Sequence, residues 1–357
     1  MTARAETPLS LLVGLSTTLR EPVLTAMTDA TTVVVSVGQD DLPDREVLTW
    51  RVWDAAGPVD AGEFTVGEDC GACQLIESLV PLLEALVARG HWDHVVVSAP
   101  PAMEARPLVA ALTSALPEIA VDTVTCVTDA VLLVEQLSGD ELLAERGLAL
   151  GAPDRRNVAE LTARQIEYAD VCVLANAHRS TAPARLEHLL LHLNPRTAVV
   201  STDPDGVPQG AVARTGRFDF DAAEAWAGEL AAADRVQPSG DGVTTVLWRS
   251  TRPLHPARLN DALEDIVDGV VRSRGVVWLA NRPTQRVRWE SAGYSASLGT
   301  LGEWSDTEHL AECTLVATGV GLDPDRLQTV LDACLLTESE LAGLDWTSLD
   351  DPFAGVL

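Results

Sequence analysis

Two short stretches hold the residue types that could do chemistry. Residues 67 to 77, GEDCGACQLIE, place Cys70 and Cys73 three apart, just ahead of a helix-patterned run. Thiolates at that spacing can bind one zinc ion, but a closed structural site takes four ligands, so two more must come from elsewhere. Glu68 and Asp69 are adjacent carboxylates, and His91 and His94 in HWDH supply imidazoles if the fold brings them close. The same spacing suits redox chemistry, because a cysteine at a helix N-terminus has its thiolate stabilised there. A third alternative is an inert pair of half-buried thiols.

The second stretch, residues 10 to 27, reads SLLVGLSTTLREPVLTAM: an apolar run, a turn, then a helix pattern. A nucleotide loop of that outline reads G-x-x-x-x-G-K-[ST], so that backbone amides cradle the phosphates and a lysine ammonium reaches the outer ones. Here Gly14 is followed by Ser16, Thr17 and Thr18 without a second glycine, and all 25 basic residues of the chain are arginine. No lysine exists for the loop or for Schiff-base chemistry, and arginine's planar fork does not simply replace a compact ammonium against a phosphate. A helix-capping turn at Ser16 is the favoured reading.

Other polar and aromatic residues receive structural readings. His255, between two prolines' worth of turn signal in PLHPAR, is expected to cap a helix, and Trp248, Trp278 and Trp289 to fill a core or an interface. Cys126, Cys172, Cys313 and Cys334 lie in apolar surroundings and read as small buried side chains. Asp306, Glu308 and His309 read as a solvated loop. No nucleophile, base and oxyanion arrangement is evident.

The elements that must position these residues alternate. β-like runs at 31–37, 94–99, 121–130, 169–176 and 196–201 are separated by helix patterns, such as 74–88 with Leu75, Leu79, Leu82, Leu83 and Leu86 near one face. That alternation indicates an α/β domain over 1–236 with a mostly parallel sheet covered on both faces. RVQPSGDGV at 235–243 reads as a linker, and 243–357 as a smaller α+β domain. A net charge of −28 argues against direct nucleic-acid or anionic-membrane binding. No run is expected to approach the roughly 18 apolar residues that span a bilayer. Six scattered cysteines suggest a reducing cytoplasm.

RPLHPARLNDALEDIVDGVVRSRGVVWLANRP at 252–283, followed by WESAG at 289–293, resembles the C-terminal domain of CobW-type proteins, a family of GTPases and metal chaperones. The resemblance implies that the first domain is a P-loop-GTPase-like fold, in which Gly14, Ser16, Thr17, Thr18 and Asn176 fall at nucleotide-binding positions. The family's guanine-reading Asn-Lys-x-Asp aligns with Asn176 to Arg179 and keeps only the asparagine, and the magnesium-holding strand end aligns with Ser98 to Pro101, which lacks a carboxylate. At most weak GTP affinity and no hydrolysis are therefore expected. The family's Cys-x-Cys-Cys metal motif keeps its outer two cysteines as Cys70 and Cys73, which favours zinc over the other two readings of that pair.

Within the family, DGVVRSRG, WLANRP, ADVCVLAN, LLTESEL and the terminal DPF are similar to the actinobacterial Mrf branch, which recruits a hibernation factor to ribosomes under zinc starvation. The resemblance implies a non-catalytic cytoplasmic adaptor linked to zinc homeostasis, with a protein partner. The alternative is a zinc metallochaperone with GTP-dependent metal transfer.

Overall fold

The computed structural model describes residues 6–38, 47–65, 70–151, 153–202, 206–228, 237–304, 311–343 and 345–357. The chain divides into two compact units, one drawn from Met1–Leu133, Glu141–Pro183 and Arg196–Glu224, the other from Val134–Asp140, Ala184–Pro195 and Ala225–Leu357.

The first unit is built on an eight-stranded sheet. Its elements begin with β1 (Thr7–Val13), α1 (Thr17–Met27), β2 (Thr32–Gly38), β3 (Val47–Asp54), β4 (Gly57–Thr65) and α2 (Gly71–Arg89). They continue with β5 (His94–Ser98), α3 (Ala105–Ala115), β6 (Ile119–Asp129), α5 (Val158–Tyr168), β7 (Val171–Ala175), β8 (Ala198–Ser201) and α7 (Phe220–Ala227), which begins here and ends in the second unit. The short helix α4 (Leu133–Ser138) and most of α6 (Pro183–Leu193) group with the second unit.

The strand order is β4-β3-β2-β5-β1-β6-β7-β8, parallel from β2 through β8. β5 and β7 are buried at all five positions, as strands covered on both faces must be, and this is why they read as unbroken apolar runs. The β3–β4 hairpin adds two antiparallel strands at one edge of this mostly parallel sheet. There Trp50 stacks on Phe64 at 5.9 Å, and Gly62 sits under the Trp50 indole, where a Cβ would meet the ring at 2.6 Å.

α2 buries Leu75, Leu79, Leu83 and Leu86 on one stripe, and left-handed Gly90 caps its end. By length and composition it is apolar enough to cross a membrane, with mean hydropathy 1.5, contrary to the expectation from the sequence. Its apolarity is one-sided: the leucine stripe is buried while Glu77 and Glu84 are exposed.

The second unit holds an antiparallel sheet of order β12-β11-β10-β13-β9, formed by β9 (Val243–Ser250), β10 (Arg272–Val277), β11 (Gln285–Ala292), β12 (Ser295–Glu303) and β13 (Cys313–Val320). Helices α8 (Pro256–Asp261), α9 (Leu263–Val267), α10 (Pro324–Ala333) and α11 (Glu338–Gly343) complete it. Trp248 and Trp289 lie in its core with Leu254, Leu315, Leu327 and Leu331, while Trp278 packs half-buried against them. His255 caps α8, its Nδ1 accepting the Arg258 N–H at 3.4 Å. Cys126, Cys172, Cys313 and Cys334 are buried thiols. Asp306, Glu308 and His309 lie outside the described residues.

Candidate functional site

In a parallel sheet the loops at the carboxyl ends of the strands form the usual ligand edge, and the fold gathers the loop residues there. Gly14 follows β1, Ala99 follows β5, Asp129 ends β6 and Asn176 follows β7. Because α2 runs back to the amino end of β5, its first residues lie on the same side.

The β1–α1 loop is shaped by the chain itself. Gly14 has φ 138°, and a Cβ there would stand 2.5 Å from the Val127 carbonyl oxygen, so close backbone approach to β6 already demands glycine. Ser16 is the N-cap of α1, its Oγ accepting the Leu19 N–H at 3.3 Å. Thr17 and Thr18 are exposed on the first turn. The capping reading of this turn is what the geometry displays.

Arg20 went unremarked in the sequence, although counting from Gly14 places it where a phosphate-loop lysine would stand, with Leu19 at the second glycine and Glu21 at the Ser/Thr. That count was the signal available. Arg20 is 3% exposed, and its Nη1 donates to the Ala99 carbonyl oxygen. No carboxylate pairs with it among the described residues, and its Nε is buried without a partner. Burial holds its pKa down to about 10, opposed by the nearby Cys126 thiol. The cation that could have met a phosphate instead ties α1 to the end of β5. Ser98 to Pro101 supply no carboxylate there for a magnesium ion.

Asn176 is held with φ 58°, and its Nδ2 donates to Asp129 Oδ1 at 3.2 Å. Asp129 Oδ1 also accepts the Val131 N–H at 3.0 Å. The asparagine amide is thus committed to the end of the neighbouring strand, β6.

Cys70 and Cys73 are exposed at the start of α2, their Sγ atoms joined as a disulfide. Cys70 is the N-cap, and its Sγ accepts the Cys73 N–H at 3.3 Å. No group of three or more histidine, cysteine or acidic side chains is poised to hold a metal among the described residues. Glu68 and Asp69 lie outside them. The imidazoles of HWDH do not come close: they follow the far end of α2, whose 19 residues span about 28 Å. His94 instead turns into the interior at the amino end of the sheet, its Nε2 2.9 Å from Ser10 Oγ and its Nδ1 3.3 Å from Thr32 Oγ1. Ser10 Oγ in turn donates to Asp122 Oδ1 at 3.0 Å. Burial, reinforced by Arg214, lowers the His94 pKa to about 4, a neutral imidazole built into the fold.

Residues 243–335 match the model of the cobalamin synthesis protein cobW C-terminal domain. A zinc chaperone of Mycobacterium tuberculosis is 30% identical over 351 residues, covering 82% of this chain and 79% of that protein. The chain belongs to the CobW family. A further likeness is to the zinc-regulated GTPase metalloprotein activator 1 of Dictyostelium discoideum, 24% identical over 327 residues, 79% of this chain and 68% of the relative. Among solved structures, the Zn(II)-bound YjiA GTPase from E. coli is 16% identical, covering 93% of this chain and 100% of that one with a TM-score of 0.37.

Proposed function

We propose that this CobW-family chain is a cytoplasmic adaptor in zinc homeostasis that does not hydrolyse GTP. The observation that carries the reading is Arg20, a buried guanidinium in the lysine place of the loop, bonded to the Ala99 carbonyl oxygen rather than open to a phosphate. Zinc is the cargo or signal on this reading, supported by relatives named as a zinc chaperone and a zinc-regulated GTPase metalloprotein activator. Cys70 and Cys73, when reduced, supply two soft donors, half of a tetrahedral set. The remaining ligands come from a partner or from elsewhere in the chain.

The finer assignment is to the Mrf branch, recruiting a hibernation factor to ribosomes when zinc is scarce. It rests on the segment resemblances at 169–176, 268–283, 335–341 and 351–353. The net charge of −28 favours a basic protein as the contact over ribosomal RNA. The test is affinity purification of the tagged chain from zinc-starved and zinc-replete cells, with mass spectrometry of what is bound. Enrichment of a hibernation factor under starvation supports the adaptor, and its equal recovery or absence in both overturns it.

A second reading, a zinc chaperone driven by GTP, is favoured by the 30% identity to the mycobacterial zinc chaperone. Transfer of zinc from the reduced chain to a chromophoric chelator decides between them: acceleration by GTP with magnesium supports the chaperone, and an unchanged rate supports the adaptor.

A further inference from the structure

Sulfur chemistry in this protein is confined to one place. Four of the six cysteines are buried, and the thiols of three are pushed up: Cys126 by its hydrogen bond to Cys172 and by burial, Cys313 to about 12 and Cys334 to about 11 by burial. Such thiols stay protonated and out of reach of a reagent. Cys70 and Cys73 differ in every respect. Both are exposed, their Cα atoms are 5.3 Å apart, within the range a disulfide spans, and their sulfurs are joined. Both also stand at the opening of a 19-residue helix.

The two sulfurs are not equivalent. Cys70 occupies the N-cap, where its Sγ already accepts the Cys73 N–H. A thiolate at Cys70 is stabilised by that donor and by the positive end of the helix, whereas Cys73 lies inside the first turn. Cys70 is therefore the better leaving group of the pair.

We propose that Cys70 and Cys73 form a thiol–disulfide exchange site for soluble dithiols, and that only its reduced state can take zinc. In the reductive direction a thiolate of the dithiol attacks Cys73 Sγ, the Cys70–Cys73 S–S bond breaks, and the Cys70 thiolate departs. The reagent's second thiolate then attacks its own sulfur in the mixed disulfide, releasing the Cys73 thiolate. Two electrons pass to the protein, the dithiol leaves as a cyclic disulfide, and its two protons pass to the released thiolates or to solvent. The link to zinc rests on the proposed function, since a disulfide removes two thiolate donors from any metal. The exchange chemistry stands without it.

The experiment uses the full chain equilibrated in buffers of reduced and oxidised dithiothreitol, quenched with acid, alkylated and weighed intact. A single reversible two-electron transition mapping to the peptide that carries Cys70 and Cys73, with the other four thiols unlabelled under native conditions, supports the site. A pair that stays dithiol in the oxidising buffers or stays bonded in excess dithiothreitol, or a two-electron transition that maps instead to the peptides carrying Cys126 and Cys172, overturns it. Alkylation against pH separates the two sulfurs: Cys70 in Cys73→Ser reacts with a midpoint below that of Cys73 in Cys70→Ser, and equal or reversed midpoints overturn their assigned roles. Zinc titration of the oxidised and reduced wild type completes the test. At least tenfold weaker binding after oxidation supports the gate, and equal binding in both states overturns it. Reversible exchange with no zinc bound in either state upholds the exchange site and overturns the zinc reading.

Discussion

Gly14, Ser16 and Arg20 show how a loop can keep the outline of a nucleotide site while each residue answers to the fold. Gly14→Ala sets a Cβ against the Val127 carbonyl at positive φ, and is expected to cost about 2 kcal/mol or more. Ser16→Ala loses a side-chain cap, worth about 1 kcal/mol. Thr17→Ala and Thr18→Ala, on an exposed turn, fall within about 0.5 kcal/mol of wild type. Urea unfolding of the four variants measures this order, and an equal loss at all four would contradict it. Titratable residues give a second residue-scale prediction. The folded His94 pKa of about 4 lies below its ordinary 6.5, so the unfolded chain binds the proton first as pH falls. Stability from this residue is intact above pH 6.5 and is lost as pH falls toward 4, by about 3 kcal/mol. Asp170 works in the opposite sense: burial raises its pKa to about 6, so its contribution is lost as pH rises from 3.8 through 6. The two slopes oppose one another between pH 4 and 6. The slope of stability against pH over that range is expected to change in opposite directions in His94→Gln and Asp170→Asn, and a change in the same direction would refute the assignment.

At the scale of elements, legibility followed burial. β5 and β7 were readable because strands buried on both faces are unbroken apolar runs, and the α2 stripe because leucines recur at helical spacing. The β3–β4 and β11–β12 hairpins were not foreseen. β4 and β12 are almost wholly exposed or half-buried, and β12, SASLGTLGE, is small and polar for much of its length, so pairing with β11 defines it more than its own composition. β10 shows the same dependence. It runs from Arg272 to Val277 and stops short of the rest of the apolar run, because Trp278 and Ala280 turn their backbone groups to Leu254 instead of continuing the ladder. Gly275 lets β10 approach β13 closely, since a Cβ there would stand 2.0 Å from the Thr314 carbonyl oxygen. Gly275→Ala is expected to destabilise the second unit by about 3 kcal/mol, with the first unit's transition unchanged. Near-ultraviolet circular dichroism, which reports the buried Trp248 and Trp289, together with urea unfolding checks this. A coincident loss of both units would show that they unfold as one.

At the scale of the whole molecule, the expectation is a chain without GTP turnover above background and with only weak affinity for a fluorescent GTP analogue. Arg20→Lys is expected not to restore hydrolysis, because Ser98 to Pro101 still lack a magnesium carboxylate and Asn176 to Arg179 still lack the base-reading aspartate. Tight binding by wild type, or magnesium-dependent turnover by Arg20→Lys, would refute this. The amino-acid sequence by itself determined the α/β and α+β character of the two parts, the burial of four cysteines, the cap at Ser16 and the absence of any lysine, because these follow from residue type and from periodicities of a few residues. Tertiary structure alone decided what meets what. It set Arg20 on Ala99, 79 residues away, buried His94 against Ser10, 84 residues away, and thereby removed that imidazole from the cysteine pair. Such meetings are fixed by strand order, β5 beside β1 and β6 on its other side, and strand order is settled by how all the buried faces pack together, which no local pattern encodes.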